Sequence, residues 1–129
     1  MDLDTRKTAL VLARGRAIVG LVMLVLPGAV GWIAFGESSP RIRALLRMMG
    51  VRDLVLGVGA LTSVKEGTQD AEWIGMGAFS DAVDGLVTLS SPGLPFTRRL
   101  MAPGELACAA LGLKVSRDLA DARKVAAGG

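Results

Sequence analysis

The sequence predicts an all-α fold: a bundle of four transmembrane helices built as two repeated helical hairpins. Two observations predict it, an apolar composition and an internal repeat with an offset of 52 residues. Hydrophobic residues make up 51% of the 129 residues, the mean hydropathy is +0.48, and 17 residues are glycine. This composition is typical of membrane proteins, and a chain of this length forms one domain, here residues 1–129.

The first predicted span covers residues 17–36, a run of twenty residues without a charge. A helix of this length crosses a hydrocarbon core of ~30 Å at ~1.5 Å per residue. Pro27 is expected to kink this helix or to end a half-helix. The run is longer than the apolar core of a signal peptide, so we expect no cleavage. Three further spans, shorter or more polar, are predicted at residues 44–64, 71–91 and 99 or 103 to 115.

The repeat aligns residues 38–61 with residues 90–113. Seven of the 24 aligned positions are identical, and Ser-Ser-Pro stands at the start of both copies. Repeats of this length usually mark a repeated supersecondary unit. We therefore predict hairpins at residues 17–64 and 71–116, in which Asp53 and Glu105 occupy equivalent positions.

The basic residues predict the orientation. Nine Lys and Arg residues lie on the side that holds both termini, against five on the opposite side. Loops rich in Lys and Arg stay in the cytoplasm. We expect an integral protein of the plasma membrane with cytoplasmic tails at residues 1–14 and 117–129.

Several classes of site are excluded by composition. The chain has no His for a catalytic triad or a common metal site, so we predict no metal and no cofactor. Cys108 is the only cysteine, which excludes an internal disulfide and a CxxC motif. The basic residues flank the spans without interleaved aromatic residues, which favours contact with membrane lipid and no nucleic-acid partner.

Small residues recur every four positions along the predicted spans. Such faces allow helix backbones to approach closely, so helix packing is the expected role. The predicted faces are Gly59 with Ser63, Ala78 with Ala82, and Gly104 with Cys108 and Gly112.

Five charged residues fall within the predicted spans, where a central charge costs roughly 2.5 to 3.5 kcal/mol. Helix rise places several of them at a similar depth, so they are expected to line one polar pocket and to bind a ligand. We predict an ion pair between Arg52 and Asp84, and at least one remaining acid with a raised pKa. The five residues are Arg52, Asp53, Asp81, Asp84 and Glu105.

Structural alternatives stand beside this interpretation. Arg52 and Asp53 form an interfacial pair if the second span starts near Gly50, with Arg52 reaching the headgroups. Glu105 is a first-turn acid if Pro103 opens its helix. A polar contact between helices would account for the two acids of the third span.

The string Arg47-x-x-Gly50-x-Arg52-Asp53-x-x-x-Gly57, followed by a span with paired acids, resembles a family of small membrane proteins. That family is frequent in actinomycetes and is known only as a domain of unknown function. The resemblance implies a bundle of four spans with Arg52 and Asp53 as its signature pair. It implies no activity.

Three functions fit these features. The first is a membrane protein that binds a lipophilic small molecule in the polar pocket. The second is a membrane epoxide hydrolase, isomerase or cyclase in which Arg52, Asp81 and Asp84 are catalytic. The third is a homodimeric, proton-coupled transporter. A tunnel that ends at Asp84 favours the enzyme, and a pocket shared across a dimer axis favours the transporter.

Overall fold

A computed structural model describes residues 3–129, which form helices and no β-strand. The all-α class predicted from the sequence is therefore confirmed. Five helices have nine residues or more, and one is a single turn. The helices are α1 (Leu3–Val25), α2 (Pro27–Phe35), α3 (Pro40–Glu66), α4 (Asp70–Ser90), α5 (Phe96–Arg99) and α6 (Ala102–Gly128).

The four long helices pack as a bundle of two hairpins. α1 lies along α3, α4 lies along α6, and α3 contacts α4. α1 and α6 contact each other over a much shorter stretch. Gly36 and Gly67 end α2 and α3 with φ of +70°, a conformation that glycine adopts without the steric cost other residues meet. The chain can therefore reverse direction over short connections.

α1 ends at Val25 and α2 begins at Pro27, so the predicted first span of residues 17–36 is two helices. Proline has no backbone N–H and its ring crowds the preceding turn, which breaks a helix. The break predicted at Pro27 is confirmed. The first long helix, however, begins at Leu3, fourteen residues before the uncharged run.

The repeat stays a prediction, because the two aligned segments share buried positions on one helix face but differ at their helix starts. Five buried positions of α3 have buried counterparts 52 residues later on α5 and α6. α3 begins directly after Ser39, whose Oγ accepts a hydrogen bond from Ile42 N at 3.3 Å. The matching Ser91 is followed by a loop with Gly93 at φ +82°, and α6 begins only at Ala102. The buried pairs are Leu46 and Arg98, Gly50 and Ala102, Gly57 and Ala109, Ala60 and Gly112, and Ser63 and Val115.

Small residues bring the helices of each hairpin into backbone contact. A Cβ atom added at Gly57 would lie 2.4 Å from Ala17 N, and one added at Gly112 would lie 2.8 Å from Ala78 Cβ. The packing role predicted for Gly112 and Ala78 is thus confirmed. The role predicted for Gly104 and Cys108 is wrong, because Gly104 has open space around it and Cys108 is exposed.

We expect Gly57→Ala to lower the free energy of unfolding by roughly 1–3 kcal/mol, the usual cost of overpacking. The new methyl group would meet the backbone of α1, which cannot move without separating α1 from α3. Gly104→Ala is the matched control, since alanine favours a helix by ~0.5–1 kcal/mol over glycine. Unfolding in detergent measures both variants, and a Gly57→Ala variant as stable as Gly104→Ala would contradict this packing.

The distribution of apolar side chains is inverted relative to a soluble globular protein. Eight of the fourteen buried hydrophobic residues are alanine. Large apolar side chains instead lie on the outside, among them Ile18 on α1, Val55 on α3, Phe79 on α4 and Leu111 on α6. Every long helix therefore presents large apolar residues outward, and alanine forms more than half of the buried apolar positions, beside larger residues such as Val64 and Leu119.

One described helix, α1, is long and apolar enough to cross a membrane by length and composition. Only a minority of its apolar stretch is buried within the fold, unlike the core helix of a soluble protein. The other long helices, α3, α4 and α6, also carry charged residues, including the acids and arginines described below.

The predicted tails are helical where the structure describes them, because α1 begins at Leu3 and α6 continues to Gly128. Arg123 near the end of α6 forms ion pairs with Asp70 and Glu72 at the start of α4. The hydrogen bonds to Glu72 and Asp70 raise the pKa of Arg123. The end of α6 is therefore anchored to the bundle.

Candidate functional site

Four of the five predicted site residues form one cluster with a residue that the sequence did not predict. This cluster, the charge network, consists of Arg16, Arg52, Asp53, Asp81 and Asp84. Basic and acidic groups alternate along it, from Asp84 through Arg52, Asp53 and Arg16 to Asp81.

Arg52 and Asp84 form the predicted ion pair, and it is bidentate. Arg52 Nη2 lies 2.6 Å from Asp84 Oδ2, and Arg52 Nη1 lies 3.1 Å from Asp84 Oδ1. Arg52 also donates to Asp53 Oδ1 from Nε and Nη2, at 3.2 and 3.1 Å. Two parallel hydrogen bonds fix the guanidinium plane against the carboxylate, so this pair links α3 to α4 in a defined geometry.

Arg16 joins three helices. From α1 it donates to Asp53 Oδ1 on α3 at 3.2 Å, and to Gly77 O on α4 at 2.9 Å. It also donates to Asp81 on α4. A guanidinium offers five N–H donors in a fixed plane, which suits one side chain that serves three acceptors.

Asp53 is the centre of the network and its most buried member. Its side chain is 10% exposed, against 36% for that of Arg52, and its Oδ1 accepts hydrogen bonds from both arginines. Asp81 and Asp84 lie three residues apart on α4 and therefore face the same side, as predicted. The stripe they share with Gly77 and Thr88 faces inward, since both of those residues are buried.

The sequence interpretation missed Arg16 because it lies just before the uncharged run. The predicted first span of residues 17–36 leaves Arg16 outside it, and this part of the prediction is wrong. α1 begins at Leu3, so Arg16 lies inside the helix and in the bundle. The sequence signal that could have found Arg16 is the lack of a helix-breaking proline between Leu3 and Arg16, which allows one helix to run through both.

Glu105 does not join the charge network. It lies in the first turn of α6, with Pro103 at the helix start, as the structural alternative predicted. Its Oε1 lies 2.7 Å from Nη1 of Arg98. Arg98 is a second arginine that the sequence did not predict in the site, because it lies between the third and fourth predicted spans. The side chain of Glu105 is only 22% exposed.

A groove between α1 and α6 reaches the charge network. This α1–α6 groove has a volume of about 290 Å³. Its walls are largely apolar, and the charged part of its lining consists of two acids and one arginine of the network. The lining residues are Val11, Leu12, Gly15, Arg16, Val19, Asp53, Asp81 and Cys108.

The groove can hold an apolar molecule and place a polar group of it against Arg16, Asp53 and Asp81. Within residues 3–129, no three His, Cys, Asp or Glu side chains are grouped so that they could hold a metal ion. The charged groups that line the site are carboxylates and one guanidinium group.

Comparisons with known proteins find no match for this chain among protein-family models, curated proteins or solved structures.

Proposed function

We propose that this protein is an integral membrane protein that binds a lipophilic small molecule in the α1–α6 groove. The observation that carries the proposal is a largely buried network of charges that lines part of an otherwise apolar groove. Buried charges are expensive and, in membrane helices, mark functional sites.

The membrane placement is supported by the inverted distribution of apolar residues. Large apolar side chains on all four long helices would face lipid, while alanine and glycine form the helix contacts, as is common in membrane bundles. In this placement α1, α3, α4 and α6 are the four spans. The central charges of α3 and α4 are paired inside the bundle, and Glu105 near the start of α6 is paired with Arg98.

The proposed orientation places both termini in the cytoplasm. Arg16 and Arg98 lie inside the bundle, and each comes from a different side of the membrane. Leaving both out of the count removes one residue from each side, so Lys and Arg are still in excess on the cytoplasmic side. Membership of the actinomycete family stays part of the proposal. Its signature string lies on α3 and supplies Arg52 and Asp53 to the network.

The charge balance of the network favours a particular kind of ligand. Three carboxylates face two guanidinium groups, so the fully ionised network has one negative charge in excess. A proton, or a ligand group that is positively charged or donates hydrogen bonds, offsets this charge. We therefore propose a lipophilic molecule with an amine or other donor group.

Binding fits the geometry better than catalysis. The α1–α6 groove is lined by Asp53 and Asp81, whereas Asp84, where a tunnel would have favoured an enzyme, is not among its lining residues. Arg52 and Asp84 instead form two hydrogen bonds with each other.

Cys108, the only thiol of the chain, lines the groove and reports on its occupancy. We expect dodecylamine to slow the reaction of Cys108 with N-ethylmaleimide in lipid nanodiscs severalfold, because the amine places its chain beside the thiol. Dodecane, which has no polar group, should slow the reaction much less.

Two glycine variants control this experiment. Gly15 lines the groove with open space at its Cβ position, so Gly15→Leu fills the groove without disturbing helix packing. Gly104→Leu adds the same side chain outside the groove. Protection by dodecylamine should be lost in Gly15→Leu and kept in Gly104→Leu. Equal protection by dodecylamine and dodecane would refute a polar binding site.

A further inference from the structure

A second cavity lies where α2 and α5 meet α1, α3 and α6. Its volume is about 320 Å³, at the lower end of the roughly 300–1,000 Å³ typical of small-molecule pockets. Its lining is apolar except for two charged residues, Arg98 and Glu105. We call it the Arg98 pocket, and it shares only Val19 with the α1–α6 groove.

Arg98 is held in a buried position. Its side chain is 9% exposed. The short helix that carries it is fastened by the hydroxyl of Thr97, which donates to Ala34 O at 3.0 Å. Arg98 therefore belongs to the wall of the pocket and does not extend into solvent.

The polar atoms of this pair lack hydrogen-bond partners. Arg98 Nη1 lies 2.7 Å from Glu105 Oε1, but neither Arg98 Nη1 nor Glu105 Oε2 forms a hydrogen bond with any described residue. Buried polar atoms without such a partner are rare, and each one costs free energy. Glu105 Oε2 can thus accept a hydrogen bond, and Arg98 Nη1, which contacts Glu105 Oε1 as an ion pair but not in hydrogen-bond geometry, can donate one.

We propose that the Arg98 pocket binds a medium-chain amphiphile with a hydroxyl head group. A hydroxyl is a donor and an acceptor at once, so one group can donate to Glu105 and accept from Arg98. The terminal torsion of a glutamate is soft, so a small rotation turns Oε2 toward the pocket. The Arg98–Glu105 pair is neutral overall, and a charged head group would leave an excess charge in an apolar cavity.

The apolar rim explains how the chain of the amphiphile enters. Ile18, Val22 and Ile33 line the pocket and are exposed on the outside of the bundle. In the proposed membrane placement this rim faces lipid. The inference therefore rests on the membrane placement in the proposed function, but not on the α1–α6 groove.

Photolabelling tests the head group directly. The probe is a decan-1-ol analogue with a diazirine on its chain, added to the protein in nanodiscs. We expect labelling of the peptides that contain Met49 and Met101, both of which line the pocket. Decan-1-ol should displace the probe at about tenfold lower concentration than decyl methyl ether, which accepts but cannot donate a hydrogen bond. Decanoate and decylamine should also compete less well than the alcohol.

A variant that changes the charge of the pocket tests the preferred head group in the same competition experiment. Glu105→Gln keeps the size of the side chain but removes its charge, so the excess positive charge of Arg98 should make decanoate the better competitor. Gly15→Leu, which blocks the groove, should leave labelling of the pocket unchanged. Equal competition by alcohol and ether, absence of labelling, or an unchanged preference in Glu105→Gln would each overturn the inference. Labelling lost in Gly15→Leu would assign the probe to the groove instead.

Discussion

Arg16→Leu should lower the free energy of unfolding by roughly 3 to 5 kcal/mol, the cost of breaking a buried ion pair by removing one partner. The variant leaves Asp53 and Asp81 without the arginine that serves both, and it leaves Gly77 O without a donor. Both carboxylates would remain in an apolar bundle. Denaturant titration of the detergent-solubilised protein measures the loss.

The matched control lies two residues away. Arg14 is on the same helix but exposed, so Arg14→Leu should change the free energy of unfolding by no more than about 0.5 kcal/mol. Arg16→Lys keeps the charge, but an ammonium group lacks the planar fork of donors that serves three acceptors. Its loss in the free energy of unfolding should lie between those of Arg14→Leu and Arg16→Leu. A loss as small in Arg16→Leu as in Arg14→Leu would show that Arg16 does not join the helices.

The second large effect concerns the pair between α3 and α4. Arg52→Leu and Asp84→Leu each leave a charge without its bidentate partner and should each destabilise the protein. The double variant should recover much of the loss, with a coupling free energy of roughly 0.5 to 3 kcal/mol. The free energies of unfolding of the wild type, both single variants and the double variant form a double-mutant cycle. If the losses in the two single variants add up to the loss in the double variant, the two side chains do not meet.

This cycle also separates structure from binding. Arg52 and Asp84 do not line the α1–α6 groove, whereas Asp53 and Asp81 do. A folded double variant should therefore still show protection of Cys108 by dodecylamine. In an enzyme that uses Arg52 and Asp84 for acid–base chemistry, the same variant would fold and be inactive.

The acids of the site could be predicted from the sequence, because a carboxylate inside an apolar run is conspicuous. Asp81 and Asp84 share a helix face at any helix start, and the pairing of Asp84 with Arg52 required only that α3 and α4 lie side by side.

The arginines that balance these acids could not be predicted in the same way. Arg16 precedes the uncharged run, and only the early start of α1 places it in the bundle. Arg98 lies between two predicted spans, and only the single turn of α5 directs it inward. Their roles depend on where helices begin, which is set by caps and packing more than by hydropathy.

In the proposed topology, a bundle with internal charges spans a membrane four times, with both termini in the cytoplasm. Single cysteines in a Cys108→Ala background test it: Leu3→Cys and Gly128→Cys near the ends of the chain, and Glu37→Cys in the exposed loop between α2 and α3. A membrane-impermeant maleimide added to intact cells should label position 37, and should label positions 3 and 128 only after the membrane is permeabilised. Labelling of position 3 or 128 in intact cells would contradict the proposed cytoplasmic location of both termini.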